Sequence, residues 1–194
     1  MTSINNRPHA ILLDRDGVIN FDSPDYILTP EQWQPIPNSL EAIAQLNAHN
    51  IPVGLISNQS AVGRGMMSQE VLDAIHQRMI DALSAVGGSL QHIAYCPHHP
   101  EAGCICRKPL PGMIQHTLEA WNMHEHAASI VMIGDSLRDV QAALAAGVRP
   151  ILVQSGYGDA ASIMQRARAL SPSILIFPDL HQAVQHLLTQ GLPS

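Results

Sequence analysis

The sequence lacks any apolar run of 18 residues, the length at which a stretch becomes a candidate membrane span, so none is expected. Its first ten residues, MTSINNRPHA, lack the apolar centre of a secretory signal. Charge is scarce: charged residues make up 13% of the chain against 46% hydrophobic, a balance that excludes a disordered protein. Positive charge is the scarcer sign. Lys and Arg total 10 against 16 Asp and Glu, a formal net charge of −6, which argues against nucleic acid as the main partner. Cysteine is rare too. Only three are present, Cys96, Cys104 and Cys106; an odd, clustered set is a poor disulfide framework and a better metal site. No internal repeat or low-complexity linker interrupts the 194 residues. The chain reads as one domain over 1–194, cytoplasmic, with a sizeable core.

What is present is an alternation of short apolar runs and helix-like segments. Strands are predicted at 9–13 (HAILL), 51–57, 90–96, 129–136, 149–154 and 173–177. Helices are predicted at 38–50, with Asn38 as cap, and at 68–88, with Ser68 as cap and glycines at its end. Others follow at 111–122, with Pro in the first turn, and at 137–147, 159–170 and 179–190. Strands without polar alternation, separated by helices, imply a three-layer, doubly wound parallel sheet. Ligands of such sheets bind beyond the carboxyl ends of the strands.

The strand ends are therefore the places to look. ILLDRDGVIN (11–20) runs from apolar residues straight into Asp14, Arg15, Asp16 and Gly17. Asp and Gly also make ordinary turns, so this end alone decides nothing. The second strand ends in Ser57, Asn58, Gln59 and Ser60. The third leads through the Cys/His segment to Arg107 and Lys108. The fourth ends in Gly134, Asp135 and Ser136, with Asp139 four residues after Asp135. Four ends bring complementary polar groups to one sheet edge. Asp14, Asp16 and Asp135 would crowd negative charge and call for a cation; hard oxygen ligands suit Mg²⁺. Ser57 and the backbone N–H groups of 15, 16 and 58 would hold phosphate oxygens as an anion nest. Lys108 adds positive charge. The set suits phosphoryl transfer to a carboxylate nucleophile.

DxD, a Ser/Thr at the second strand end, a Lys and GDxxxD, in that order, resemble the haloacid dehalogenase (HAD) superfamily of phosphatases. DRDGVIN, SNQSAVGRG, CPHHPEAGCICRKPLPGM and GDSLRD resemble, more narrowly, the heptose-bisphosphate phosphatases, bacterial enzymes that remove the 7-phosphate in heptose supply for lipopolysaccharide. The resemblance implies a HAD-like fold in which Asp14 is the nucleophile and Asp16 the general acid and base. Mg²⁺ would be held by the Asp14 carboxylate, the Asp16 carbonyl and Asp135. Ser57 and Lys108 would stabilise the transferring group, and Asp139 would orient Lys108 or reach a metal-bound water. A Gly at 17 lets the chain leave the crowded turn.

The segment CPHHPEAGCIC offers Cys96, His98 or His99, Cys104 and Cys106 as four ligands for structural Zn²⁺; the resemblance selects His98. This loop, at about 96–108, would brace Arg107 and Lys108. His76, His116 and His186 fall in amphipathic segments and are expected at the surface. No room exists for a large cap domain; residues 20–36 suffice for a small flap. By resemblance, Asp22 and Tyr26 of that flap, with Asn58, Gln59 and Arg107, contact a small phosphorylated sugar. Arg64 either touches substrate or decorates a Gly-rich loop. GDSLRD departs from relatives with Lys after the first Asp, a charge Ser136 cannot supply. A monomeric enzyme is expected. The alternatives are a histidinol-phosphate phosphatase, a broad sugar-phosphate phosphatase and a non-catalytic zinc-braced binding module.

Overall fold

A computed structural model of the chain describes residues 6–192. Six parallel strands form one sheet: β1 (Ala10–Leu13), β2 (Val53–Asn58), β3 (His92–Cys96), β4 (Ile130–Gly134), β5 (Arg149–Val153) and β6 (Leu175–Phe177), in the order β3-β2-β1-β4-β5-β6. The helices are α1 (Ser39–Ala48), α2 (Ser60–Gly63), α3 (Gln69–Ala85), α4 (Gly112–Ala120), α5 (Leu137–Ala145), α6 (Ala160–Leu170) and α7 (Leu180–Gln190).

Side chains on a strand alternate between faces, and both faces here are covered. Ile11 and Leu13 join one core with Val53, Leu55, Val131 and Ile133 under α1, α3 and α7. Ala10 and Leu12 join the other with Ile56, Ile130 and Met132 under α4 and α5. The central strands β1 and β4 are buried throughout, while the edge strands β3 and β6 are mostly half-buried. This is the doubly wound parallel architecture that the unbroken apolar runs predict. The order of strands reverses between β1 and β4, where Leu13 pairs with Ile133. Asp14 and Asp135 therefore leave the sheet side by side, at the position where such sheets bind ligands.

The predicted ends hold to within a few residues. Ser68 caps α3 by accepting from Val71 N at 3.4 Å, and Gly87 follows its end with φ +80°. Asn38 does not cap α1 as expected. It is left-handed, with φ 64°, and its side chain makes no capping bond. His76 is not at the surface either. It is buried and packs against the Tyr95 ring at 5.3 Å, because the face of α3 that meets the sheet is wide enough to include it. Its imidazole is pushed down to about 4, by burial first and then by the nearby Arg15. The one-turn α2 and the 3₁₀ turns at Pro30–Gln32 and His124–Ser129 are too short to carry a period. Residues 20–36 form the small flap, and no large cap is present among the described residues. Among the described residues no helix is long and apolar enough to cross a membrane.

Leu55 is fully buried at the middle of β2. Leu55→Ala is expected to lower unfolding free energy by about 2–5 kcal/mol in a denaturant titration. A loss under about 1 kcal/mol would mean that this face of the sheet is not packed as described.

Candidate active site

The site starts where β1 runs out. Asp14 still belongs to the ladder, its N–H donating to Ile133 O at 3.0 Å. Its Oδ1 accepts from Arg15 N at 2.7 Å, so that N–H is spent inside the loop rather than free for a phosphate oxygen. Gly17 then turns the chain at φ +78°, and a Cβ there would lie 2.7 Å from Asp135 Oδ2. Only glycine meets both demands.

Lys108 is the hub. It is buried, and its Nζ lies 2.8 Å from Asp14 Oδ2, 2.6 Å from Asp139 Oδ1 and 2.7 Å from Ile56 O. An ammonium has three donors, and all three are placed. Burial alone would lower the Lys108 pKa, but the Asp139 and Asp14 charges outweigh it and raise it. Asp139 is held in turn: its Oδ2 accepts from Ser136 Oγ at 2.6 Å and Ser136 N at 3.0 Å. Burial opposes its charge, yet Lys108 and Ser136 keep its pKa below the usual carboxylate value. Asp139 thus meets Lys108 as an ion pair through Oδ1 and is anchored by Ser136 through Oδ2. Ser136, in place of a lysine, orients Asp139.

Asn58, expected as a substrate contact, lines the cavity, and its side chain also has a second part. Its side chain donates to Lys108 O at 3.0 Å and accepts from Lys108 N at 3.1 Å. It clamps the backbone of Lys108, and such a partner 50 residues away cannot be read from spacing. Ser57 is fully buried and is not among the residues that line the cavity; its Oγ accepts from Gln59 Nε2 at 2.8 Å. Gln59, which lines the cavity, covers it.

Asp16 is the most heavily solvated carboxylate in the protein sense. Arg15 grips it as a fork, Nε to Oδ1 and Nη2 to Oδ2, both at 3.0 Å. Asn20 Nδ2 donates to Oδ1 at 2.9 Å and Gln59 Nε2 to Oδ2 at 3.0 Å. Burial would raise its pKa, but Arg15, Asn20 and Gln59 together lower it. Asp14 and Asp135 have the opposite balance. Burial pushes Asp14 up to about 7 against the pull of Lys108. Burial, then the Asp139 and Asp14 charges, push Asp135 up to about 8. Oxygens of Asp14, Asp135 and Asp139 all lie within 4.8 Å of one another. Crowded hard oxygens whose charge is resisted in this way fit a divalent cation.

These groups open into a cavity of about 370 Å³. Asp22, Ser23, Pro24, Tyr26 and Ile27 of the flap form one wall. Burial first, then the Asp16 charge, raise Asp22 to about 6. Arg64, Arg107 and Arg138 line the same cavity, and among the described residues none has a carboxylate within ion-pair distance. Arg64 thus faces the cavity rather than decorating its loop. Arg138, like Tyr157, was not anticipated. Its signal is a cation in the first turn of the helix that follows Asp135. Arg107 and Arg138 also flank an adjoining hollow of about 320 Å³.

The cysteine segment closes on itself beside Lys108. Cys96 Sγ lies 3.6 Å from both Cys104 Sγ and His98 Nδ1, and His98 Nδ1 lies 3.2 Å from Cys106 Sγ. His99 is outside the cluster and accepts from Glu101 N. No disulfide joins the three thiols. Burial and the neighbouring thiols push Cys106 up to about 12. Sulfurs 2.3 Å from a tetrahedral centre stand about 3.8 Å apart, close to the spacing seen. Gly63 donates to Pro97 O at 2.8 Å, and a Cβ there would strike the backbone of His98 and His99.

Comparison with known proteins agrees with this geometry. The HAD-hydrolase-like family model matches residues 105–183. The chain is 41% identical over 178 residues to the D-glycero-beta-D-manno-heptose-1,7-bisphosphate 7-phosphatase of Pseudomonas putida, covering 92% of this chain and 98% of that protein. It is 46% identical over 148 residues to the Bordetella bronchiseptica enzyme of the same name, covering 76% and 82%. The crystal structure of D,D-heptose 1,7-bisphosphate phosphatase from B. bronchiseptica, complexed with magnesium and phosphate, superposes with a TM-score of 0.87 at 39% identity, over 94% of this chain and 99% of that one. A DxD loop, a lysine hub and a GDxxxD helix start on this fold, with such relatives, identify a phosphatase: the chain belongs to the heptose-1,7-bisphosphate 7-phosphatase family of HAD-like hydrolases.

Proposed function

We propose that the chain removes the 7-phosphate of D-glycero-D-manno-heptose 1,7-bisphosphate, with Mg²⁺, through an aspartyl-phosphate. One observation carries the choice of a bisphosphate. The cavity has an inner end with Asp14 and Lys108 and an outer rim with three arginines that lack carboxylate partners. Unpaired guanidinium groups around a cavity suit a second phosphate. They disfavour histidinol phosphate, whose far end is cationic.

In the first half-reaction an Asp14 carboxylate oxygen attacks phosphorus and the ester P–O bond breaks. The proton on Asp16 goes to the leaving sugar oxygen. A phosphate dianion entering beside Asp16 raises its pKa and so supplies the condition for that proton. In the second half Asp16 takes a proton from water as its oxygen attacks phosphorus, freeing inorganic phosphate and Asp14. Lys108, aimed by Asp139, offsets negative charge on the transferring group. Mg²⁺, bound by the Asp14 carboxylate, the Asp16 carbonyl and Asp135, would neutralise charge on the phosphoryl oxygens. Arg107 and Arg138 would take the second phosphate. Asp22, Tyr26 and Gln59 would meet the sugar. A soluble sugar phosphate as substrate supports the cytoplasm.

We also propose that Cys96, His98, Cys104 and Cys106 hold one structural Zn²⁺. Three thiolates and an imidazole would leave no open position for a reacting water.

Three outcomes follow. Asp14→Asn should remove turnover, since an amide does not attack phosphorus; near-normal steady-state rates on heptose bisphosphate would end the covalent mechanism. Arg107→Ala and Arg138→Ala should each lower kcat/KM roughly ten- to a hundredfold on the bisphosphate, the worth of a charge-assisted hydrogen bond, and far less on p-nitrophenyl phosphate. Wild-type preference for histidinol phosphate over either heptose bisphosphate anomer would overturn the substrate assignment. Freshly purified protein should contain about one zinc per chain, and Cys104→Ser should lose zinc, thermal stability and turnover together. Metal analysis without zinc in never-chelated protein would remove that site.

A further inference from the structure

Asp16 has to move a proton twice, so the placing of its carboxylate matters as much as its chemistry. Arg15 and Gln59 are obvious holders, one adjacent in sequence and the other on the cavity wall. The third holder, Asn20, is fully buried and lies outside the cavity. Its amide has two ends with opposite demands. Nδ2 donates to Asp16 Oδ1 at 2.9 Å and to Phe21 O at 2.9 Å. Oδ1 accepts from Trp33 Nε1 at 3.0 Å. An indole N–H can only donate. It therefore fixes which end of the amide faces it, and so which end faces Asp16. The reversed amide would set an oxygen against the carboxylate and a donor against a donor.

Trp33 is itself immobile. It is buried at the stem of the flap, where Phe21 N donates to Gln34 O at 3.0 Å and Ile36 N to Ile19 O at 3.0 Å. The tip of the same flap brings Asp22 and Tyr26 to the cavity. A chain of fixed donors thus runs from the flap stem to Asp16. We infer that Trp33 and Asn20 are positioning residues for proton transfer by Asp16, with the Trp33 N–H setting the amide of Asn20 and the amide setting the carboxylate. This rests on Asp16 being the general acid.

The test separates proton transfer from folding by leaving group. The constant kcat/KM reports steps through departure of the leaving group. A sugar oxygen needs a proton to leave; p-nitrophenolate hardly does. Trp33→Phe keeps an aromatic ring and deletes the N–H. Asn20→Asp keeps the shape and sets an oxygen against Asp16. Each is expected to lower kcat/KM for heptose bisphosphate by about tenfold or more, a part of the ~10²–10⁴ that general acid catalysis supplies. The loss on p-nitrophenyl phosphate should be much smaller, and that activity reports a folded site in the same preparation. Equal losses on both substrates, or no loss on heptose bisphosphate, would overturn the inference. Asp16→Asn is the reference. If it too loses equally on both substrates, the general-acid assignment has failed, and the inference falls with it.

Discussion

A buried ammonium tolerates no vacancy among its acceptors, and the rest of the site is arranged around that constraint. Lys108 meets Asp14, Asp139 and the carbonyl of Ile56, groups from β1, from α5 and from β2. Removing one partner of a buried pair costs roughly 3–5 kcal/mol, because the other charge stays unpaired. The loop that carries Lys108 must therefore close on the sheet in one position. Asn58 holds its backbone there from β2, and Ser136 fixes the carboxylate that meets it. Asp14, the ammonium beside it and the helix behind them form one unit of packing.

Charge is sorted along the cavity. Acidic groups converge at the switch point between β1 and β4, where the sheet forces two strand ends together. Cations stand farther out: Arg64 after α2, Arg107 after the cysteine cluster, Arg138 in the first turn of α5. A chain with net charge −6 thus gathers three arginines at the rim of one cavity. No large cap stands over that rim among the described residues, and the Cys/His cluster lies next to the residue that carries one of the arginines, Arg107.

The sheet and the polar residues gathered at its strand ends were legible in the sequence because they obey local rules. Unbroken apolar runs reported central strands, and the polar residues following them reported the strand ends. Cys96, His98, Cys104 and Cys106 lie close enough in sequence to announce a cluster. What was not legible depends on partners far apart. Asn58 carries no mark of its bond to Lys108, 50 residues away. Ser57 lies buried beneath Gln59, to which its hydroxyl is bonded, a contact between side chains that residue type does not announce. His76 sits where a helix surface would be if α3 buried a narrower face. Trp33 reads as a core residue, which it is, and only its indole nitrogen gives it further meaning. Ser136 was seen as a missing cation; the fold makes it the holder of Asp139 and brings a cation from Arg138 instead.

Lys108 is the chain's only lysine. The surface of the described fold consequently carries no ε-amine at all, since its single one is sealed between two carboxylates. Amine-directed reagents that scatter over the lysines of ordinary proteins find one ε-amine here, and they reach it only when the hub comes apart. Incorporation counted at Lys108 itself would report that opening, without any label having to be engineered. Trypsin gains no lysine cut from the same opening, because Pro109 follows Lys108 in the chain.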